Sequence, residues 1–333
     1  MLYSAAGLNR RDFVRTLSAA MALLPALGRD GLAQVLGPRR SRVAVVSTTD
    51  RRKGVARALG LLELGGIRGK RVVLKPNFNT ADDAPGSTHD DTLSQLVMEL
   101  KERGARSITL AESSGPPQTR GVMEKKGTFD LASALGFDVV DLEQVADADW
   151  VKFGPAGTNW PDGFYLPRLF TTAEYVVSTC CLKTHGFGGV FTMSLKLAVG
   201  LTPKAIRRPM HRSPEMRRMI AELNTGYRPD LVVLDGVSAF TNGGPSTGEL
   251  KAGNVMIAGA DRVAVDAVGL AMLKSLGANE AVMSRPIFQQ EQIARAVDLK
   301  LGAPSPAAIE LVTPADPESR ACAERLRGIL DQG

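Results

Sequence analysis

Short apolar runs alternate with longer amphipathic stretches along this chain. Arg42–Thr48 (RVAVVST), Arg71–Leu74 (RVVL), Ser107–Ala111 (SITLA), Leu231–Leu234 (LVVL) and Val255–Ala258 are nearly unbroken apolar segments, the pattern of strands covered on both faces. Phe137–Leu142, Trp150–Phe153 and a last edge strand at Ile309–Val312 extend the series. Between them, Lys53–Leu64, the periodic set Leu93, Leu96, Val97 and Leu100, the segment running to Leu223, and Asp261–Leu273 carry helical spacing. Gly154–Leu166, rich in Gly, Pro and Asn, reads as a loop. This alternation predicts an α/β fold: a mainly parallel, open sheet with helices on both faces, formed by residues 41–333 as a single domain.

The stretch Cys180–Pro203 (CCLKTHGFGGVFTMSLKLAVGLTP) organises the rest. An apolar strand leads into Lys183-Thr184-His185, breaks at Gly186, Gly188 and Gly189, and resumes with helical spacing as far as Gly200. A glycine turn between strand and helix start gathers backbone N–H groups and the helix's partial positive charge, so it is read as an anion site. On that helix Thr192 and Lys196 would share a face. A lysine among so many apolar residues requires a partner, and Glu112 and Asp235 are the candidates.

Four apolar strands end in compact polar clusters: Lys75/Asn77/Asn79, Glu112/Ser113/Ser114, Lys183/Thr184/His185 and Asp235. In an open parallel sheet ligands bind at the carboxyl ends of strands, so one crevice would collect all four. The three histidines, His89, His185 and His211, each fall in a polar segment. Bland readings stand beside these: His89 as a helix cap, Lys75 and Lys183 as lysines reaching solvent, Lys196 in a structural ion pair, Lys204–Arg212 as a solvated face, Glu112 and Asp235 as turn formers. Thr241-Asn242-Gly243-Gly244-Pro245 reads as a loop. The glycine segment lacks the GxxxxGK[ST] pattern of a nucleoside triphosphatase.

The N-terminus changes the address. Arg10-Arg11, then Phe13, then an apolar run from Leu17 to Leu27 that is too short for a bilayer, resembles a twin-arginine export signal, with processing expected near Ala33. Residues 1–40 are therefore set aside as signal and linker. The translocase becomes a transient partner, and the mature protein is expected to be periplasmic or secreted with no stable membrane span. Of 333 residues 44% are hydrophobic and 23% charged, as in a globular protein. The net charge of +6 falls to about +4 without the signal, which suits anionic small molecules, and no nucleic-acid-binding motif is present. Three cysteines, Cys180, Cys181 and Cys322, with no CxxC spacing make an iron–sulfur cluster held by this chain alone an unsuitable reading. Free buried thiols are expected ahead of a Cys322 disulfide.

At these residues the sequence resembles the domain-of-unknown-function 362 family. The resemblance is carried by Lys75-Pro76-Asn77, Thr88-His89, Lys183-Thr184-His185-Gly186, Lys196, Arg207-Arg208-Pro209-Met210-His211, Asp235 and Gly243-Gly244-Pro245, over roughly residues 42–300. Many members of that family append a ferredoxin-like module with cysteine-bound clusters. This sequence shows none, so the resemblance implies neither a cluster nor electron transfer here.

The expectation is an exported enzyme acting on a small carboxylate or phosphate. His185, His89, Lys183, Lys196, Glu112 and Asp235 form the catalytic set. Lys75, Asn77, Asn79, Thr184, Gly186, Gly188, Gly189, Thr192, Arg208 and His211 bind the substrate. A metal-dependent version would use His89, His185 and His211 around a divalent ion. The alternative is a non-catalytic periplasmic ligand-binding or assembly protein using the same crevice.

Overall fold

A computed structural model describes residues 40–332; the twin-arginine-like segment and its expected processing site lie outside the described residues. The strands are β1 (Ser41–Ser47), β2 (Arg71–Lys75), β3 (Ser107–Glu112), β4 (Asp138–Asp141), β5 (Trp150–Phe153), β6 (Phe164–Pro167), β7 (Tyr175–His185), β8 (Val190–Thr192), β9 (Leu231–Gly243), β10 (Gly248–Gly259) and β11 (Ile309–Val312). All but β5 and β6 join one nine-stranded sheet in the order β11-β1-β10-β9-β7-β2-β3-β4, with β8 paired to β7. Within that sheet the β1–β10, β10–β9 and β7–β8 pairings are antiparallel and the rest parallel, so the fold is α/β with a mainly parallel sheet.

The apolar runs work because both faces are covered. Along β1, Val43 and Val45 pack into one core while Ala44 and Val46 pack into the opposite one. Along β9, Val232 and Leu234 face the first, and Leu231 and Val233 the second. Helices Arg262–Ser275 and Pro317–Gln332 contribute to the first core, Arg51–Gly60 and Asp90–Glu102 to the second. A third cluster, from Val73, Ala111 and Val176 to Leu201 and Ile220, lies under the site. Residues along the buried central parts of these strands face one apolar layer or the other, so alternation disappears from the sequence there.

Three expected boundaries move. β9 does not stop at Asp235-Gly236. Its register with β7 steps from Cys181↔Asp235 to Leu182↔Ala239, an irregularity that absorbs residues 236–238 before pairing resumes. The Asp-Gly signal marks a bulge, and Asp235 accepts the Val237 N–H within it (3.1 Å). Within the expected loop 154–166, Phe164 begins β6, which pairs antiparallel with β5. The segment to Leu223 forms two helices, Lys204–Arg212 and Met216–Leu223, broken where Pro214 follows Ser213.

The largest correction concerns Cys180–Pro203. β7 continues through His185 and folds back as β8, pairing Lys183 with Thr192, Thr184 with Phe191 and His185 with Val190. The glycines make a hairpin turn and not a helix entry. The N–H of Phe191 donates to the Gly189 carbonyl (2.7 Å) around Val190, whose φ is 62°. The helix begins only at Ser194 and is four residues long. Its first N–H groups donate to Asp266, from Ser194 to Oδ1 (2.7 Å) and from Leu195 to Oδ2 (2.9 Å). That helix start is occupied by a buried carboxylate of its own chain, so it offers no anion site.

Asp266→Asn presents an NH2 group to one of the two N–H donors and leaves it buried and unmatched. The substitution is expected to cost about 1–3 kcal/mol, read as a lowered urea midpoint at unchanged slope. An unchanged midpoint would remove Asp266 as the anchor of this helix.

Candidate active site

The carboxyl ends of β2, β3 and β7 and the tip of the β9–β10 hairpin enclose a crevice of about 980 Å³. Its walls bear six Lys/Arg side chains, Lys75, Lys183, Lys196, Lys204, Arg207 and Arg208, and one carboxylate, Glu112. His185 and His211 also line it.

Four of the six cations are held by the protein itself. Lys75 pairs with Glu112 at full burial and also donates to the Pro76 carbonyl (2.8 Å). Burial pulls its ammonium below the usual range, and Glu112 opposes that pull. Glu112 also accepts the N–H groups of Phe78 (2.8 Å) and Ser113 (2.8 Å). Lys183 donates to the carbonyls of Gly86 (2.6 Å) and Pro245 (2.9 Å), tying two loops across the crevice. Arg207 donates to Ser113 and Ser114 carbonyls (3.1 and 2.5 Å) and to the Ser113 hydroxyl (2.6 Å), which fixes helix Lys204–Arg212 to the end of β3. Lys204 reaches the Pro117 carbonyl (2.6 Å) and Glu143 (2.7 Å).

Two cations remain: Lys196 and Arg208 have no hydrogen-bond or ion-pair partner among the described residues. Arg208 is exposed at the mouth. Lys196 is only 8% exposed, and a buried ammonium without a counter-charge is costly. Burial, then the charges of Lys183 and Arg207, pull its amine down to about 7. No carboxylate approaches it: Glu112 is engaged with Lys75, and Asp235 faces elsewhere, so neither expected pairing exists.

The two imidazoles lie near Lys196 with fixed roles. His185 Nδ1 accepts the N–H of Gly189 (3.3 Å), so in the neutral ring Nε2 carries the proton. Burial first, then Lys196 and His211, push its pKa down to about 2, so the ring stays a neutral donor. His211 Nδ1 lies 2.7 Å from the Arg207 carbonyl, which can only accept, so its Nε2 is free to accept a proton. The two rings stack with centroids 6.1 Å apart. Gly189 sits where a Cβ would lie 2.9 Å from both His185 Nδ1 and Lys196 Cε; only glycine leaves these two groups so close.

The other predicted residues divide. Asn77, Asn79, Gly186 and Thr192 line the crevice, Thr192 from β8 directly opposite Lys183. The Thr192 hydroxyl and the Asn77 side-chain oxygen are buried without a partner. Thr184 points to the other face of β7, donating to the carbonyls of Phe240 (3.3 Å) and Gly243 (3.2 Å). Gly188 and Gly189 shape the turn without lining the cavity. His89 caps helix Asp90–Glu102, accepting the Asp91 N–H (3.1 Å), and stays outside the crevice. Asp235 binds Arg51 Nε (2.8 Å) and the Thr92 hydroxyl (2.7 Å) beneath that helix, because the bulge keeps it inside β9. The histidine trio is thus reduced to a pair, and among the described residues no group of three His, Cys, Asp or Glu side chains is arranged to hold a metal ion. Cys180, Cys181 and Cys322 are free and buried.

Several lining residues were missed as individuals: Lys204, Arg207, Phe187, Gly200 and the loop Pro245–Thr247. One signal was present. Lys204, Arg207, Arg208 and His211 stand at i, i+3, i+4 and i+7, one face of a helix.

Comparison with known proteins places these residues in a wider group. A family model described as a domain of unknown function (DUF362) matches residues 72–271, more than half of the chain and every residue that lines the crevice. The thylakoid-associated protein sll1697 of Synechocystis sp. (strain ATCC 27184 / PCC 6803 / Kazusa) is 27% identical over 211 residues, 60% of this chain and 62% of that protein's length. The match thus spans less than two thirds of that relative. Among solved structures, the lactate racemase apoprotein of Thermoanaerobacterium thermosaccharolyticum superposes with a TM-score of 0.41 at 12% identity over 87% of each chain.

Lys196 is expected to react with an amine-selective imidoester as a free base with a midpoint of about 7. Its modification, followed by peptide mass spectrometry, rises with pH and levels off above that point. A midpoint in the ordinary lysine range would show that a counter-charge reaches the amine.

Proposed function

The chain belongs to the domain of unknown function (DUF362) family, and from its crevice we propose an enzyme that acts on a small anionic substrate, a carboxylate or a phosphate, by general acid–base chemistry. One observation carries the reading: six cationic side chains face one carboxylate, and the two that the protein leaves unpaired, Lys196 and Arg208, open onto the same cavity. Such an excess of charge in a partly desolvated cleft is balanced by a ligand's charge.

The roles follow from the hydrogen bonds. Arg208 presents a free guanidinium fork to the anion, and the charges of Lys183 and Arg207 add to the field. The buried Thr192 hydroxyl and Asn77 side-chain oxygen, both without a partner, are left for the ligand's polar groups. Lys196, neutral in an appreciable fraction at neutral pH, takes up a proton, which matches its lowered pKa to a general base. His185 offers a permanent N–H donor to an oxygen that gains charge, and His211 offers an acceptor nitrogen. With the twin-arginine-like start, the reaction belongs outside the cytoplasm in this proposal.

Isothermal titration with malonate and with inorganic phosphate tests the anion site. Arg208→Ala is expected to weaken the anion that binds about tenfold, the lower end of the worth of a charged hydrogen bond at an exposed residue. Lys196→Met retains binding. If neither anion binds the native chain, or if both variants match it, the proposal fails.

A further inference from the structure

The same crevice supports a narrower statement about its substrate, one that rests on the anion-binding reading above. Lys196 is a primary amine, 8% exposed, that lines the cavity with no donor, acceptor or carboxylate bound to it among the described residues. No other described residue engages this amine. Every other lysine of the crevice has a partner: Lys75 has Glu112, Lys183 two carbonyls, Lys204 a carbonyl and Glu143.

Its surroundings also fit more than proton uptake. A side chain at Gly189 would press on both Lys196 and His185, so the glycine leaves the amine and the imidazole on one small opening. His185 is locked with its proton on Nε2 by the Gly189 N–H, a neutral donor suited to an oxygen on which charge develops. His211, stacked on His185, has its Nδ1 turned to the Arg207 carbonyl and its Nε2 free to carry a proton. An uncharged amine beside other cations is the setting in which lysine acts as a nucleophile toward carbonyl carbon.

We propose that Lys196 condenses with the carbonyl group of an aldehyde or 2-oxo compound that bears a carboxylate or phosphate, forming a covalent imine within the crevice.

The step balances without a redox partner. The amine nitrogen attacks the carbonyl carbon, a C–N bond forms, and the carbonyl π electrons move to oxygen facing the His185 N–H. His211 Nε2 takes a proton from nitrogen and returns it to that oxygen, giving a carbinolamine. The C–O bond then breaks as the C=N bond forms, and the departing hydroxyl takes a proton from solvent. One amine, one carbonyl and one proton become an iminium and one water. The anionic group of the substrate lies against Arg208, and the iminium inherits the place of the unpaired ammonium.

The test is reductive trapping on the full chain. Glyoxylate and, in a separate arm, glyceraldehyde 3-phosphate are supplied with sodium cyanoborohydride, and labelled sites are located by peptide mass spectrometry. One arm is expected to label Lys196 at least about tenfold faster than the surface lysines, because an appreciable fraction of its amine is unprotonated near pH 7. The responding arm tells carboxylate from phosphate. Lys196→Arg removes that label and leaves the slow surface labelling unchanged, while site location in the native chain needs no variant. If neither aldehyde favours Lys196 although malonate or phosphate binds, the imine is overturned and the anion site stands. If neither anion binds either, both proposals fall together.

Discussion

The crevice depends on how Glu112 is used. Its carboxylate accepts the Lys75 ammonium and the backbone N–H groups of Phe78 and Ser113, all buried at the ends of adjacent strands β2 and β3. Three donors hold it in place, so it cannot swing toward any other cation. Farther along the wall, among the described residues, only Lys204 meets a carboxylate, Glu143; Lys183 and Arg207 rest on neutral oxygens, and Lys196 and Arg208 have no partner. A second crevice carboxylate would neutralise the field and give Lys196 a reason to stay protonated. The pair is closely roofed: a Cβ at Gly200 would lie 2.8 Å from Lys75 Nζ and 2.9 Å from Glu112 Oε1.

A second carboxylate, Asp266, works from the opposite side of the sheet's end. By accepting two N–H groups at the start of the Ser194–Leu197 helix, it fixes the one turn that carries Lys196. Burial pushes its carboxyl up to about 7, while those same donors and Arg262 hold it down. Lys196 is thus placed by a backbone anchor and left without a counter-charge at its tip among the described residues. Placement and isolation come from different residues, which lets the amine be both precise in position and free in chemistry.

Much of this was legible in the sequence for a simple reason. Strands covered on both faces leave unbroken apolar runs, and the polar residues that end them must gather at one edge when the strands are parallel. Lys75, Glu112, Lys183 and His185 obey that rule. Asp235 does not, because an Asp-Gly pair looks alike at a strand end and at a bulge, and only the pairing of Cys181 with Asp235 followed by Leu182 with Ala239 tells them apart. His89 reads as chemistry in any list of histidines, yet its position before Asp90 makes it a cap. The β7–β8 hairpin was hidden because Val190–Thr192 is too short to show a period of two. Lys196 was noticed for its apolar neighbours, and its lack of a partner could be seen only after Glu112 had been placed with Lys75.

The tie from Lys183 to the Pro245 carbonyl has a consequence for the order in which the site comes into being. A chain made from its N-terminus has Lys75, Glu112, Lys183 and Lys196 in hand before residues 243–247 exist. Until β9 and β10 pair and bring that hairpin tip across, the cations stand on an open, watery shelf. The arriving loop supplies the wall that Lys183 and Gly186 bind and so closes the crevice on that side. The enclosed crevice is therefore a property of the finished sheet, and a chain in which β9 and β10 have not yet paired carries the same residues on an open surface.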